Sequence, residues 1–185
     1  MKLDGLDMEE LFSLAISAGG SDRHAEAMVL LKTILERDPG NTNATYLLAA
    51  QHAQLGLVDR ADAGFRQVLE ASPGLAIARL QYGQLLMGQE RLEEAAQVIA
   101  PLLDHSDEIG SYARALHASS AGRIDEAIRE LDHGISLPQS IAALATDMRN
   151  LRRNLAAMAP MANPAPVVAV AAPAPMFLTG YGRTN

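Results

Sequence analysis

The sequence predicts an all-α fold, a solenoid of about four helix-turn-helix repeats followed by a capping helix and an extended, Pro/Ala-rich tail. Three observations indicate this fold class. A helical pattern recurs at intervals of 34 residues, and small residues stand where the two helices of each repeat would meet. Aromatic residues make up only 4% of the chain and Trp is absent, so the core must be aliphatic and Ala-rich. A core of this kind suits closely packed helices.

The repeat is clearest in the second helix of each hairpin. HAEAMVLLKTILERDPGN at 24–41 aligns with VDRADAGFRQVLEASPGL at 58–75, so that Ala27 corresponds to Ala61. Such a period is typical of stacked helical hairpins, each of which buries its apolar face against the next. Two further copies follow along the chain, at 92–109 and 124–139.

The limits of the helices follow from small residues, glycines and prolines. Gly56 and Gly122 stand where a hairpin turns, and Pro39 and Pro73 end the second helix of their hairpins. The small residues of the first helices, which let the backbones approach the second helices, are Ala15, Ala49, Gly83 and Ala115. Helices are expected near 8–18, 23–37, 42–55, 58–71, 75–88, 91–104, 108–121 and 124–136.

Gly56, Ala61, Phe65 and Pro73 stand at the spacing of the tetratricopeptide repeat, and the chain resembles that family over about residues 8–139. The resemblance implies a right-handed solenoid. The implied array spans 1–139, with repeats near 8–41, 42–75, 76–107 and 108–139.

Two residues depart from the family pattern. Asp107 stands where the third repeat would close with proline, and Arg114 occupies a normally apolar position of the fourth repeat. Arg114 suggests that the last repeat is looser or differently packed.

The segment 140–158 predicts one more helix. A repeat array needs a terminal helix to cover its last open face, so this helix is predicted to be a cap. The same apolar stripe is also a coiled-coil pattern, and self-association through this helix is the alternative. The stripe, whose residues alternate steps of three and four, consists of Ile141, Leu144, Met148, Leu151, Leu155 and Met158.

The charge and composition exclude several classes of protein. A net charge of −7 argues against nucleic acid, whose binders need a basic face, and against binding to an anionic membrane surface. Membrane insertion is not expected either, because the sequence has no run of about 18 uninterrupted apolar residues to span a bilayer. The absence of Cys excludes disulfides, thiolate zinc sites and cysteine nucleophiles. The acidic start of the chain lacks the basic region of a secretory signal, so a cytoplasmic protein is expected.

No residues are arranged for catalysis. The five histidines fall in separate helices or turns, and none forms the i, i+4 pair of a zinc-binding helix. DHSD at 104–107 is better explained as a solvated helix end than as a metal site, and no glycine-rich phosphate loop is present. We therefore predict a protein that is not an enzyme and needs no cofactor or metal.

The resemblance implies where a partner binds. In this family the first helix of each hairpin lines the concave face, and partners bind there as extended or helical peptides. The Lys, Asn and Arg clamp with which some members bind the terminal carboxylate of chaperones is missing here. About half of the residues on this face are expected to be accessible as an apolar binding strip. By repeat register these groove residues are Phe12, Ile16, Tyr46, Ala50, Ile77, Leu80, Gln84, Met87, Tyr112 and Leu116.

The tail at 159–185 is expected to be extended, because its prolines prevent a helix. Its last part concentrates large side chains between glycines and predicts a docking peptide, with a plain disordered linker as the alternative. The docking residues are Met176, Phe177, Leu178 and Tyr181.

Together these features favour an adaptor that binds a protein or peptide partner in its groove and docks through its tail. Two alternatives stay open. One is a chaperone or assembly factor of a bacterial secretion or envelope machine. The other is a structural subunit that self-assembles through its tail.

Overall fold

The computed structural model describes residue 3, residues 5–140 and residues 142–158. Within these residues all regular secondary structure is helical, which confirms the predicted all-α helical-repeat fold. The chain divides into two compact units, the first ending at Ala78 and the second beginning at Arg79.

Eight α-helices form the predicted hairpins, and outside the third hairpin their limits lie within one residue of the expected ones. They are α1 (Met8–Gly19), α2 (His24–Arg37), α3 (Thr42–Gln54), α4 (Val58–Ala71), α5 (Ala76–Gly88), α6 (Leu92–Ile99), α7 (Glu108–Ser120) and α8 (Ile124–Ser136). A further helix, α9 (Ala142–Met158), follows them.

The helix expected at 91–104 is wrong in its second half. α6 ends at Ile99, and a 3₁₀ turn covers Ala100–Leu102. Pro101 is the physical reason, because proline lacks the backbone N–H of a helical hydrogen bond and its ring clashes with the preceding turn.

In the first unit α1 packs against α2, α2 against α3, and α3 against α4. The small residues predicted at the helix contacts, Ala15, Ala27, Ala49 and Ala61, are all buried. A Cβ placed on Gly64 of α4 would lie only 2.8 Å from the Cβ of Ala49. The two backbones of this hairpin therefore approach so closely that the contact has no room for larger side chains.

In the second unit α7 packs against α8, and α8 packs against α9. Ala115 is buried at its helix contact, as predicted, and Ala95 and Ala127 are buried in the second helices of their hairpins. Gly83 of α5 faces Ile99 of α6, where an added Cβ would lie 2.4 Å from the Ile99 Cγ2. The predicted small residue of the third hairpin is thus required by the packing.

α9 buries part of its apolar stripe. Leu144, Met148 and Leu155 are buried, and a Cβ on Gly134 of α8 would lie 3.0 Å from the Met148 sulfur. A buried stripe is what a capping helix requires. The role of α9 as a cap stays a prediction.

The four hairpin turns share one backbone geometry. In each turn an N–H binds a carbonyl five residues earlier, at 2.9 Å from Arg23 to Ala18 and at 3.0 Å from Arg91 to Leu86. The residue before that N–H has a positive φ. These left-handed residues are Asp22 (58°), Gly56 (68°), Glu90 (59°) and Gly122 (72°). Two of the turns therefore place a residue with a side chain where glycine is preferred.

Replacing Glu90 with glycine is expected to stabilise the protein by about 1 kcal/mol, because glycine adopts the left-handed conformation without the steric cost of a Cβ. Glu90 is exposed, so no packing is lost. Urea denaturation of wild type and Glu90→Gly measures the difference. The matched control is Gly56→Ala, which should lower the free energy of unfolding. A loss of stability in Glu90→Gly would contradict the strain assigned to this turn.

Arg114 makes polar contacts rather than loosening the last repeat. Its guanidinium pairs with Glu130 of α8 at 2.9 Å. It also donates to the backbone carbonyls of Leu103 and His105 at 2.9 and 2.8 Å. Of the two outcomes that the sequence left open, the structure shows the differently packed one.

Candidate functional site

The groove residues differ in how far a partner can reach them. In the first unit Phe12 and Ile16 of α1 and Ile77 of α5 are half-buried. Tyr46 and Ala50 of α3 are buried. The ring of Tyr46 is turned toward Phe65 of α4, with 6.4 Å between the ring centroids. Tyr46 is therefore part of the core of this unit.

In the second unit Gln84 is half-buried, and the other predicted groove residues are buried: Leu80, Met87, Tyr112 and Leu116. Leu80 and Tyr112 are only 1% and 2% exposed. A glutamate at either position would be buried in the folded chain and would destabilise it. Leu80 and Tyr112 were expected to face the groove, but in the structure both are core residues.

Across both units, six of the ten groove residues are core residues and four are accessible in part. The accessible side chains are Phe12, Ile16, Ile77 and Gln84. Their role in binding stays a prediction. The predicted docking residues of the tail, Met176, Phe177, Leu178 and Tyr181, lie outside the described residues.

A polar cluster in the second unit was not predicted from the sequence. Gln84 of α5 donates a hydrogen bond from Nε2 to the hydroxyl oxygen of Tyr112 on α7. The charge of Asp147 on α9 acts on the same phenol: burial first, and then the Asp147 charge, raise the pKa of Tyr112. The hydrogen bond between Gln84 and Tyr112 thus links α5 and α7 within the second unit.

Asp147 of α9 is a half-buried acid. Burial raises the pKa of its carboxyl to about 7. Among the described residues it forms no ion pair, whereas other charges of α8 and α9 do, as Arg152 does with Asp132. A sequence signal for this residue existed, because Asp147 stands three residues after Leu144 and four before Leu151, on the apolar stripe of the helix.

The polar contacts of the first unit are structural. Gln51 of α3 is fully buried, and its Oε1 lies 2.8 Å from the Nδ1 of His24 on α2. A Cβ on Gly19 of α1 would lie 2.7 Å from the Gln51 Nε2, so this amide fills the space between three helices. Burial lowers the pKa of His52, as expected of a neutral histidine in a core.

In the part of the chain that the structure describes, no group of three His, Cys, Asp or Glu side chains could hold a metal ion. None of the described helices is long and apolar enough to span a bilayer.

Comparisons with known proteins agree with this architecture. Residues 20–64 match the family model of the tetratricopeptide repeat. The chain is similar in structure to a MamA double mutant (RS-1 ArsTM), with 15% identity over 84% of this chain and 85% of that chain and a TM-score of 0.57. It is also similar to MamA from residue 41 to the end from Desulfovibrio magneticus RS-1, with 16% identity, coverage of 83% and 91%, and a TM-score of 0.54.

A third similar structure is TTC0263, a thermophilic tetratricopeptide repeat protein of Thermus thermophilus. It is 17% identical over 80% of this chain and 98% of that chain, with a TM-score of 0.51. At these identities the likeness shows the fold alone. No curated protein matches the chain in sequence. The repeat pattern and the packing of the helices agree on a helical-repeat fold, and residues 20–64 of it match the tetratricopeptide repeat.

Proposed function

We propose that the chain is a non-catalytic adaptor that binds a protein segment along its groove residues. Tetratricopeptide repeats are generally non-catalytic interaction modules. The observation that carries the proposal is the partial exposure of Phe12 and Ile16. These two large apolar side chains lie one turn apart on α1. Large apolar side chains that remain in contact with water are typical of partner sites.

The buried groove residues have a different role from the accessible ones. Tyr46 and Ala50 hold α3 in place as core residues, while Phe12, Ile16 and Ile77 are the apolar groove residues of the first unit that a partner can reach. Because the buried side chains hold the helices rigid, less conformational entropy is lost when a partner binds to the accessible side chains.

Phe12→Glu and Ile16→Glu are expected to weaken binding of a captured partner roughly tenfold or more, because a charge at an anchor position must be desolvated when the partner covers it. Partners are first captured from a cell extract with the full-length protein. The affinity of each purified partner for wild type and variants is then measured by calorimetry. Helix content should stay unchanged, since both positions are half-buried.

The matched control is Val29→Glu on α2, the second helix of the same hairpin, where Val29 is 55% exposed. This variant introduces the same charge outside the predicted groove and should bind normally. Equal weakening by Val29→Glu and Phe12→Glu would contradict the groove assignment. Unchanged affinity in both α1 variants would contradict it as well.

The tail forms the second part of the proposal, which rests on the sequence of residues 176–182. We expect it to dock outside the chain's own groove, because its spacer is longer than simple capping requires and a free groove serves an adaptor better. Full-length protein, a chain ending at Met158 and a Phe177→Ala/Tyr181→Ala variant are compared by partner capture and by mass in solution.

The three proteins separate the proposed uses of the tail. Loss of a partner in both altered proteins supports docking on that partner. Loss of a concentration-dependent assembly would instead favour the self-assembling subunit. Identical behaviour of all three proteins would show that the tail has no docking role.

A further inference from the structure

Arg149 and Arg153 form a basic pair on the surface of α9. Both side chains are exposed, and their spacing of four residues places them one turn apart on the same side of the helix. Among the residues that the structure describes, neither forms an ion pair. The arginines of three hairpin turns, in contrast, are each paired with a glutamate three residues later. These pairs are Arg23–Glu26, Arg91–Glu94 and Arg123–Glu126.

The sequence of α9 offers this basic pair no acid. The residues three and four positions away from Arg149 or Arg153 are Ala, Thr, Asn or further arginines. One of these, Arg152, is held by Asp132 of α8. Like charges at this spacing destabilise a helix, and neither arginine lies in the last turn, where a cation would favour the helix dipole. The stability of α9 therefore does not account for the basic pair.

The repeat register shows which side of α9 carries the basic pair. Arg149 stands where the first helix of each hairpin has a small residue. The small residues at this repeat position are Ala15, Ala49, Gly83 and Ala115. Gly83 faces Ile99 of α6, so the second helix of that hairpin covers the position. Because Arg149 is exposed, no described helix covers it on α9, and another molecule can reach this side.

We propose that Arg149 and Arg153 bind an acidic segment of another protein. The segment would lie along the side of α9 where the hairpins have their second helix. Two carboxylates three or four residues apart on a helical segment match the spacing of the two arginines. Each carboxylate can accept charge-assisted hydrogen bonds from a guanidinium group. The site contains none of the groove residues and does not depend on the groove proposal.

The charges of the chain indicate that the acids come from a different protein. Residues 159–185, which follow α9, contain no Asp or Glu, so the tail has no acidic side chain to offer. Two copies of this chain, each with a net charge of −7, repel each other as whole molecules. We therefore assign the acidic segment to a different protein rather than to a second copy.

The test uses a synthetic Ala-based helical peptide with glutamates four residues apart and a matched peptide with Gln in place of each Glu. Both are titrated at low ionic strength, where exposed ion pairs are least screened, against full-length wild type and Arg149→Gln/Arg153→Gln. The control variant is Lys32→Gln/Arg60→Gln. It removes two exposed cations of the first unit and changes the net charge of the chain equally.

Wild type and the control variant are expected to bind the Glu peptide roughly fivefold more tightly than Arg149→Gln/Arg153→Gln does, the effect of two exposed charge pairs. The Gln peptide should not distinguish the three proteins. Helix content should be the same in all of them, because every substituted side chain is exposed.

Three outcomes would overturn the acidic-segment site. They are no binding of the Glu peptide to wild type, equal affinity for wild type and Arg149→Gln/Arg153→Gln, and an equal loss in the control variant, which would assign the binding to the charge of the whole chain. Mass in solution is the last measurement. A concentration-dependent assembly that only the Arg149→Gln/Arg153→Gln variant loses would replace the different protein with a second copy. The groove is unchanged in all of these proteins, so the adaptor proposal is tested separately.

Discussion

Gly110→Ala is expected to lower the free energy of unfolding by about 3 kcal/mol, because the added methyl group collides with backbone that cannot move. Gly110 lies in the first turn of α7. A Cβ at this position would be 2.0 Å from the carbonyl oxygen of His105 and 2.6 Å from its carbonyl carbon. Overlap of this size with a main chain forces the loop and the helix apart.

The loop before α7 is held from both sides. Arg114 donates to the same His105 oxygen at 2.8 Å. Asp107, at the position where the third repeat would close with proline, caps α7 by accepting the N–H of Gly110 at 3.0 Å. A movement of the loop or of α7 that relieved the collision would break one of these contacts. Relaxation of the structure would therefore not recover the lost stability.

Urea denaturation measures this prediction, with Gly74→Ala as the matched control. A Cβ on Gly74 meets nothing within 4 Å. The free energy of unfolding of Gly74→Ala is therefore expected to stay within about 0.5 kcal/mol of wild type. If Gly110→Ala is as stable as Gly74→Ala, the close approach between the loop and α7 is wrong.

Asp147→Asn is expected to stabilise the free protein by about 2 kcal/mol near pH 8, a figure reduced for the partial exposure of the side chain. The carboxyl has a pKa of about 7 in the folded chain against a reference value of 3.8. The folded state therefore holds its proton more tightly than the unfolded state. The tighter proton binding of the folded state contributes to its stability in full below about pH 4, and this contribution is lost as the pH rises through 7.

Asparagine does not titrate, so the stability difference between Asp147→Asn and wild type should grow between about pH 4 and pH 7 and then level off. Denaturation of both proteins across this range measures it. Asp104→Asn, at an exposed position, should show no comparable growth. A difference that is constant with pH would mean that the Asp147 carboxyl is not desolvated.

The repeat period and the small residues were enough to predict the fold class, the hairpins and nearly all of their helix limits. Ala27 and Ala61 stand one period apart because each must fit the same narrow helix contact, and such a steric requirement is visible in a linear sequence. Gly56 and Gly122 identify their turns for the same local reason, the left-handed backbone. Pro101 carried an equally local signal, and it ended α6 before the predicted limit.

The division of the groove residues into core and accessible side chains depended on packing between helices. Phe12, Tyr46 and Leu80 stand 34 residues apart at one repeat position, yet Phe12 is half-buried and the other two are buried. Ala50 and Gln84 share another repeat position, and Ala50 is buried whereas Gln84 is half-buried. Register gives the side of a helix on which a residue lies, whereas burial depends on which neighbouring helix covers it. Those neighbours are distant in the sequence.

Asp147 is a second residue whose surroundings could not be predicted from the sequence. Its place on the apolar stripe of α9 is readable from the sequence, but the raised pKa of its carboxyl comes from its burial in the packed helices. The pKa of a carboxyl depends on the water removed from it and on the charges brought near it. Both are decided when helices far apart in the chain pack together, and no spacing along the sequence encodes them.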